Sequence, residues 1–372
     1  MNLPKQDAPV IPVTRPSMPD FEDYVAMIRP LWDSRLLSNR GEHVRALETD
    51  LATHLDVPHV SLLTNGHLAL ETAIDVLGLH GEVITTPFTF ASTTHALVRK
   101  GITPVFCDIN PIDYTMDVTK IEALITERTT AILPVHVYGN VCDVEAIDRI
   151  AKRYDLIVLY DAAHAFGVRH QGRSIADYGD MNMFSFHATK VFHTIEGGGL
   201  AFRDTRYVDA LHQAVNFGIT GPESVESVGG NAKMSEFQAA MGRCNLPRLH
   251  DDVSRRRQLV ERYDARLEHV SWIRLNRRHD ETETNYAYYP ILIKDGKDAR
   301  DALMDRLAAN GILARKYFYP LVTAFACYSF EADVPTATYV ADRILTLPLY
   351  PDLPLETVDF ICDVICEGGN GR

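Results

Sequence analysis

From about residue 60 onward, short apolar runs alternate with segments in which apolar residues recur at i, i+3 and i+4. The runs are VSLLT (60–64), EVITT (82–86), TPVFC (103–107), AILPV (131–135), LIVLY (156–160), MNMFSF (181–186) and GLAFR (199–203). Between them, LALETAIDVL (68–77) and DVEAIDRIAKRY (143–154) carry the helical spacing. Strand and helix alternating in this way predict an α/β fold with a seven-stranded, mostly parallel sheet flanked by helices. After Pro247 the pattern changes. The highly charged stretch HDDVSRRRQLVERYDARLEH (250–269) reads as a long solvated helix leading away from the sheet, which puts a domain change near residue 245. Beyond it, a strand YAYYPILI (286–293), a helix DARDALMDRLAANG ending at Gly311 and a short strand ILARKYF (312–318) predict a smaller α+β domain. At the other end, Pro4, Pro9, Pro12, Pro16 and Pro19 each fix φ and remove a backbone donor, so residues 1–20 are expected to form an extended arm. The expected division is an arm (1–20), a large domain (21–245) and a small C-terminal domain (246–372).

The length of 372 residues suits two domains with a sizeable core. A formal net charge of −13 argues against broad binding to nucleic acid or acidic membranes, while leaving room for a local basic pocket. The six cysteines form no CxxC pair and read as reduced thiols. No signal pattern opens the chain, and no uncharged apolar run approaches the roughly 18 residues of a spanning helix. A cytoplasmic protein is expected. GxGxxG, HExxH and GxSxG are absent, which weakens dehydrogenase, zincin and α/β-hydrolase readings and leaves no expected metal site.

Four features at successive strand ends carry chemistry. In FSFHATKVFHTIEGGGL (184–200), Lys190 follows a strand and stands among Ser, His and Thr ahead of a Gly triplet, where its amine can form an imine with a carbonyl. In LIVLYDAAHAFG (156–167), Asp161 ends an apolar strand at the edge where open α/β sheets bind ligands; the plainer role is to cap the helix that follows. LLTNGHLALETAI (62–74) is a strand, a Gly turn and a helix whose first amides face outward as an anion site, with Ser185 placed to add a hydroxyl. In TPFTFAST (86–93), Phe90 lies past a strand end, suited either to stacking on a flat heteroaromatic ring or to core packing. Taken together these are the needs of pyridoxal 5'-phosphate (PLP) chemistry: a phosphate turn, a stacking ring, an acid for the pyridine nitrogen and a lysine.

The chain resembles the DegT-type nucleotide-sugar aminotransferases of the aspartate aminotransferase fold, fold type I. The resemblance covers nearly its whole length through TNGHLAL, GEVITTPFTFAST, PVFCDI, AILPVHVYG, DAAHAFG, SFHATKVFHTIEGG, NFGI, GGNAKMSEFQAAM and ARKYFYP. It implies that Lys190 links the cofactor, that Asp161 partners the pyridine nitrogen and that His164 lies beside the phenolic oxygen. Phe90 would stack on the ring. Asn65, Gly66, His67 and Ser185 would hold the phosphate, joined by Asn231 from a second subunit of a homodimer. Family members commonly carry Thr in place of His67 and Asn in place of His193. Relatives with histidine in place of the lysine are dehydratases, so Lys190 favours transamination.

The implied reaction moves an amino group from L-glutamate, through pyridoxamine phosphate, to a nucleotide-linked keto-sugar, with Lys190 moving the proton. SFHATKVFHTIEGG and GEVITTPFTFASTTHALV look most like enzymes that aminate C4 of dTDP-4-keto-6-deoxyglucose, giving dTDP-4-amino-4,6-dideoxyglucose. His187, Lys233, Arg315 and Tyr317 are candidate contacts for sugar, nucleotide or diphosphate. The Pro-rich arm is expected either over the nucleotide or on the partner subunit. Competing readings are a nucleotide-sugar 3-aminotransferase, a UDP-sugar 4-aminotransferase, and a non-catalytic regulator on the same fold. The intact Lys190 and Asp161 and the acidic charge argue against the last. A nicotinamide-dependent dehydrogenase would need a glycine-rich first turn where this chain has TNGHLAL.

Overall fold

The structure, a computed structural model, describes residues 10–276, 278 and 281–367. Seven strands, β1 (His59–Leu63), β2 (Glu82–Thr85), β3 (Thr103–Phe106), β4 (Thr129–Leu133), β5 (Ile157–Asp161), β6 (Met181–Ser185) and β7 (Gly198–Phe202), form one sheet. Each lies within two residues of its apolar run. The sheet order is β1-β7-β6-β5-β4-β2-β3, with β7 antiparallel to both neighbours. Alternation along the strands explains why the runs are apolar throughout. Ile84, Ile132 and Val158 face one buried cluster, while Val83, Leu133 and Leu159 face another on the opposite side of the sheet.

Helices follow the sequence pattern closely, and their ends have identifiable causes. Asn65 caps Gly66–Val76 by accepting from the Leu68 amide, and Asp143 caps Val144–Tyr154 through Ala146. Helix Glu236–Asn245 opens with a Ser235/Gln238 capping box and gives way through the 3₁₀ turn Leu246–Arg248 to the long helix Leu249–Leu267. A further core lies between residues 259 and 365. It surrounds an antiparallel sheet of β8 (Ile273–Leu275), β9 (Tyr289–Ile293) and β10 (Ile344–Leu347), in that order. An aromatic seam joins this region to the large sheet, with Phe88, Tyr114 and Tyr138 packed against Tyr317, Phe318 and Ile344.

One expectation changes. Residues 312–318 do not form a strand. Ile312 and Arg315 make single bridges, to Ile11 and Thr346, before the chain turns aside to bury Tyr317 and Phe318 in the seam. The third strand of the small sheet is instead β10. The arm, in turn, packs on its own chain: Ile11 pairs with Gly311 and Leu313, the Leu349 amide donates to the Val13 carbonyl at 3.1 Å, and His193 Nε2 lies 2.6 Å from the Ser17 carbonyl. Residues 1–9, with Pro4 and Pro9, lie outside the described residues. Among the described residues no helix is long and apolar enough to cross a membrane.

Helix Glu42–Leu55 starts at Gly41, which offers no side-chain cap. The fully buried Glu236 supplies the acceptor from across the fold, taking the His43 amide at 2.7 Å and the Val44 amide at 3.4 Å. A Cβ on Gly41 would stand 2.6 Å from the Glu236 carboxyl carbon, so glycine is required at this approach. Glu236→Ala is expected to destabilise the fold by about 2 kcal/mol, since it strands buried amides at a helix start. The check is the denaturation midpoint against the wild-type chain. An unchanged midpoint would remove Glu236 from this role.

Candidate active site

The C-terminal ends of β5 and β6, the start of helix Gly66–Val76 and the segment around Tyr317 enclose a cavity of about 690 Å³. Its wall includes Asn65, Gly66, His67, Phe90, Asp161, His164, Ser185, His187, Lys190, Arg315 and Tyr317, which brings most of the sequence candidates to one place. The described arm contributes Val13 and Thr14.

At the anion turn, Leu68 and Ala69 donate to Asn65, leaving the Gly66 and His67 amides without an acceptor inside the helix. The turn lies close to the neighbouring strands. A Cβ on Gly66 would be 3.1 Å from Ser185 Cβ, and one on Gly198 only 2.5 Å from the Asn65 carbonyl carbon. The Ser185 hydroxyl therefore belongs to the same corner as the two amides. The His67 ring is engaged elsewhere, with Nδ1 2.9 Å from Ser92 Oγ and Nε2 3.2 Å from Glu71 Oε1. What His67 offers an anion is its backbone N–H.

Asp161 ends β5 and is almost fully buried. Its Oδ2 accepts from Thr93 Oγ1 at 2.7 Å and its Oδ1 from the Ala163 amide at 3.1 Å, so it caps the turn and faces the cavity at once. Burial pushes its carboxyl above the ordinary carboxylate range, against the Thr93 and Ala163 hydrogen bonds and the charge of Lys190. A carboxylate so desolvated calls for a cation in the cavity. His164 shows the opposite effect: burial, then the charges of Lys190 and Arg315, hold its imidazole well below the usual histidine range and therefore neutral. Its Nδ1 accepts the Tyr138 amide at 3.1 Å and its Nε2 lies 3.3 Å from Tyr317 Oη. Lys190 Nζ lies 3.3 Å from Tyr288 Oη. Phe90 is half exposed at the cavity rim, which removes core packing as its role and leaves its face open to a flat ligand.

Two candidates lie away from this chain's own cavity. Asn231 is exposed and bridges Asn216. Lys233 Nζ turns to Asn216 Oδ1 at 2.8 Å and lies over the Phe217 ring, so in this chain it meets no cavity ligand. Arg315 stacks its guanidinium 4.2 Å from the Tyr317 ring centre, and His187 Nε2 lies 3.6 Å from Glu196 Oε1. Sequence reasoning missed Thr93 and Tyr288. Thr93 sits inside the quoted TPFTFAST, one helical turn past Phe90. In YAYYPILI, alternation turns Tyr289 into the small core and leaves Tyr288 at the cavity.

The donor set fits PLP. A phosphate matches the Gly66 and His67 amides with the Ser185 hydroxyl, and a protonated pyridine nitrogen matches the desolvated Asp161. Two curated relatives, from Shigella dysenteriae and Escherichia coli, are both named dTDP-4-amino-4,6-dideoxy-D-glucose transaminase. They are 38% and 40% identical, over 95% and 94% of this chain and 98% and 96% of theirs. The solved structure of DesI in the presence of its TDP-sugar product superimposes with a TM-score of 0.92, at 31% identity, covering 97% of this chain and 93% of that one. The model of the DegT/DnrJ/EryC1/StrS aminotransferase family matches residues 20–366. With Lys190, Asp161 and the anion turn meeting in one cavity, the chain belongs to the DegT/DnrJ/EryC1/StrS aminotransferase family, a PLP-dependent family of sugar-modifying enzymes.

Proposed function

We propose that this protein transfers the amino group of L-glutamate to C4 of dTDP-4-keto-6-deoxy-D-glucose, forming dTDP-4-amino-4,6-dideoxy-D-glucose and 2-oxoglutarate. The observation that carries the reaction class is the convergence of Lys190 and Asp161 on one cavity beside an anion turn. The choice of sugar rests on the two relatives that bear the name of that product.

When bound, PLP supplies the reactive carbonyl and the electron sink that transamination needs. The chain's own residues do the rest. Gly66, His67 and Ser185 would anchor the cofactor's phosphate, and Phe90 would pack on its ring face. Asp161, fixed by Thr93 and Ala163, keeps a facing ring nitrogen protonated. His164, held neutral with both ring nitrogens engaged by Tyr138 and Tyr317, would lie beside the phenolic oxygen. Lys190 would hold the cofactor through its amine and would serve as the base and acid that moves a proton of the substrate. Arg315, exposed at the rim of an acidic protein, is suited to the diphosphate. The region 246–372 thus supplies the substrate side, and 21–245 the cofactor side.

The working form is proposed as a cytoplasmic homodimer in which Asn231 of the partner subunit completes the phosphate site. Asn231 is exposed and lies among the exposed apolar residues Phe217, Ile219, Val225 and Val228, a face suited to burial against a second copy.

Reconstituted protein is expected to show the yellow band of lysine-bound PLP, to lose it with L-glutamate and to regain it with dTDP-4-keto-6-deoxy-D-glucose, with NMR placing the new amine on C4. Bleaching without recovery would overturn the choice of sugar, and an amine on C3 would reassign the regiochemistry. Lys190→Ala is expected to abolish the band. Asp161→Asn should leave PLP bound yet slow the glutamate half-reaction by about a hundredfold, and Thr93→Val by about tenfold, as measured by stopped-flow absorbance. A Thr93→Val rate equal to wild type would show that Asp161 needs no such support.

A further inference from the structure

We infer that His193 is a positioning residue that seats the N-terminal arm as one wall of the nucleotide-sugar subsite, a wall that the acceptor touches and the amino donor does not reach. This rests on the proposed reaction and adds to it a residue that stands outside the lining of the cavity.

The segment between β6 and β7 is a closed loop, in which the Phe186 amide donates to the Gly197 carbonyl at 2.8 Å and the Thr194 amide to the Phe186 carbonyl at 2.9 Å. It supplies His187, Thr189, Lys190 and Glu196 to the cavity. His193, three residues beyond the lysine, is buried and engages the arm instead. The Ile195 amide donates to its Nδ1 at 3.2 Å, so a neutral ring carries its proton on Nε2, which lies 2.6 Å from the Ser17 carbonyl, an oxygen that can only accept. Burial, working against the Ser17 bond and the charge of Asp252, holds the imidazole below the ordinary histidine range and so in this neutral form. Asn245 Nδ2 donates to the His193 carbonyl at 3.0 Å, which fixes the backbone of the same residue.

The arm is pinned at its other end by the small region. The Ile11 amide donates to the Gly311 carbonyl at 2.9 Å, the Leu313 amide to the Ile11 carbonyl at 2.9 Å, and the Leu349 amide to the Val13 carbonyl at 3.1 Å. Between the two attachments lie Val13 and Thr14, the arm residues that line the cavity, bracketed by Pro12 and Pro16, whose fixed φ stiffens the span. The arm is thus a strap from the small region to the lysine loop. Beside it the cavity wall is Arg315, Thr346, Leu347 and Leu349, with Arg315 and Thr346 exchanging backbone hydrogen bonds at 3.0 and 2.8 Å. That is the substrate side, whereas Gly66, Asp161, Ser185 and Lys190 serve the cofactor. L-Glutamate is small enough to react at Lys190 without extending along this wall. A nucleotide sugar is several times larger and must lie along it. Releasing the Ser17 end leaves Thr14 held from one side only, so the loss falls on the acceptor.

The test compares wild type, His193→Leu, His193→Gln and Pro16→Gly as full-length, cofactor-loaded chains. Two half-reactions are followed separately by stopped-flow absorbance: loss of the yellow band with L-glutamate, and its return with dTDP-4-keto-6-deoxy-D-glucose. Amide hydrogen exchange over residues 10–19 is measured alongside. His193→Leu is expected to raise the sugar concentration for half-maximal return about tenfold and to speed exchange in the arm, with the glutamate half-reaction within about twofold of wild type. His193→Gln, whose side-chain amide can reach the Ser17 carbonyl, should restore most of the loss. Pro16→Gly, which leaves the lysine loop untouched, should shift the sugar dependence in the same direction. An unchanged sugar dependence in His193→Leu overturns the proposal and leaves the proposed reaction intact. So does an equal loss in both half-reactions, which would mark His193 as support for Lys190, and so does unchanged exchange in the arm. Failure of the wild-type chain itself to regain its band with this sugar would overturn the choice of sugar and, with it, the acceptor wall.

Discussion

A carboxylate withdrawn from water at the end of a central strand is the constraint around which this molecule is arranged. Asp161 lies where β5 emerges between its neighbours, inside a cavity whose other walls are largely aromatic and aliphatic. A buried charge of this kind persists only with compensation. One hydroxyl, one amide and a lysine across the cavity provide part of it. The rest falls to whatever cation enters, a demand that the protonated ring nitrogen of the proposed cofactor would meet. The sheet order sets the anion turn beside that demand, because it brings β1, β5 and β6 close enough for the Gly66 turn and Asp161 to share one space.

Much of this was legible in the residues. A parallel strand buried on both faces must be apolar throughout, so the seven runs announced the sheet, and the polar residues just past them announced its functional edge. What periodicity could not deliver is the partnership between side chains distant in sequence. Thr93 matters because of Asp161, which lies 68 positions on, and Tyr288 because of Lys190, 98 positions away. Both stood inside segments that already had a sufficient local explanation, as a helix start and a strand. The misplaced strand at 312–318 has a related cause. Tyr317 and Phe318 are strand-forming residues by type, but they are drawn into the aromatic seam between the two regions, and that packing outweighs a further rung of sheet.

The seam also explains how a site built from two regions holds its shape. Tyr138 touches both sides. Its ring lies parallel to Phe318 in the seam, its hydroxyl donates to the Tyr317 carbonyl, and its amide orients His164. A single residue in the turn after β4 thereby orients one group at the cavity and places another that comes from the far end of the chain. The arm adds a second tie, since Ser17 rests on His193 while Ile11 and Val13 are paired with the small region.

The engagement of the His67 ring by Ser92 and Glu71 separates the work of that residue's backbone from that of its side chain. Where an anion is recognised through main-chain amides, selection acts on the path of the backbone and only weakly on the side chain that happens to be attached. A different side chain at position 67 would leave that amide where it is. The glycine at 198 has no such latitude, since any side chain there would push the turn off its neighbouring strand.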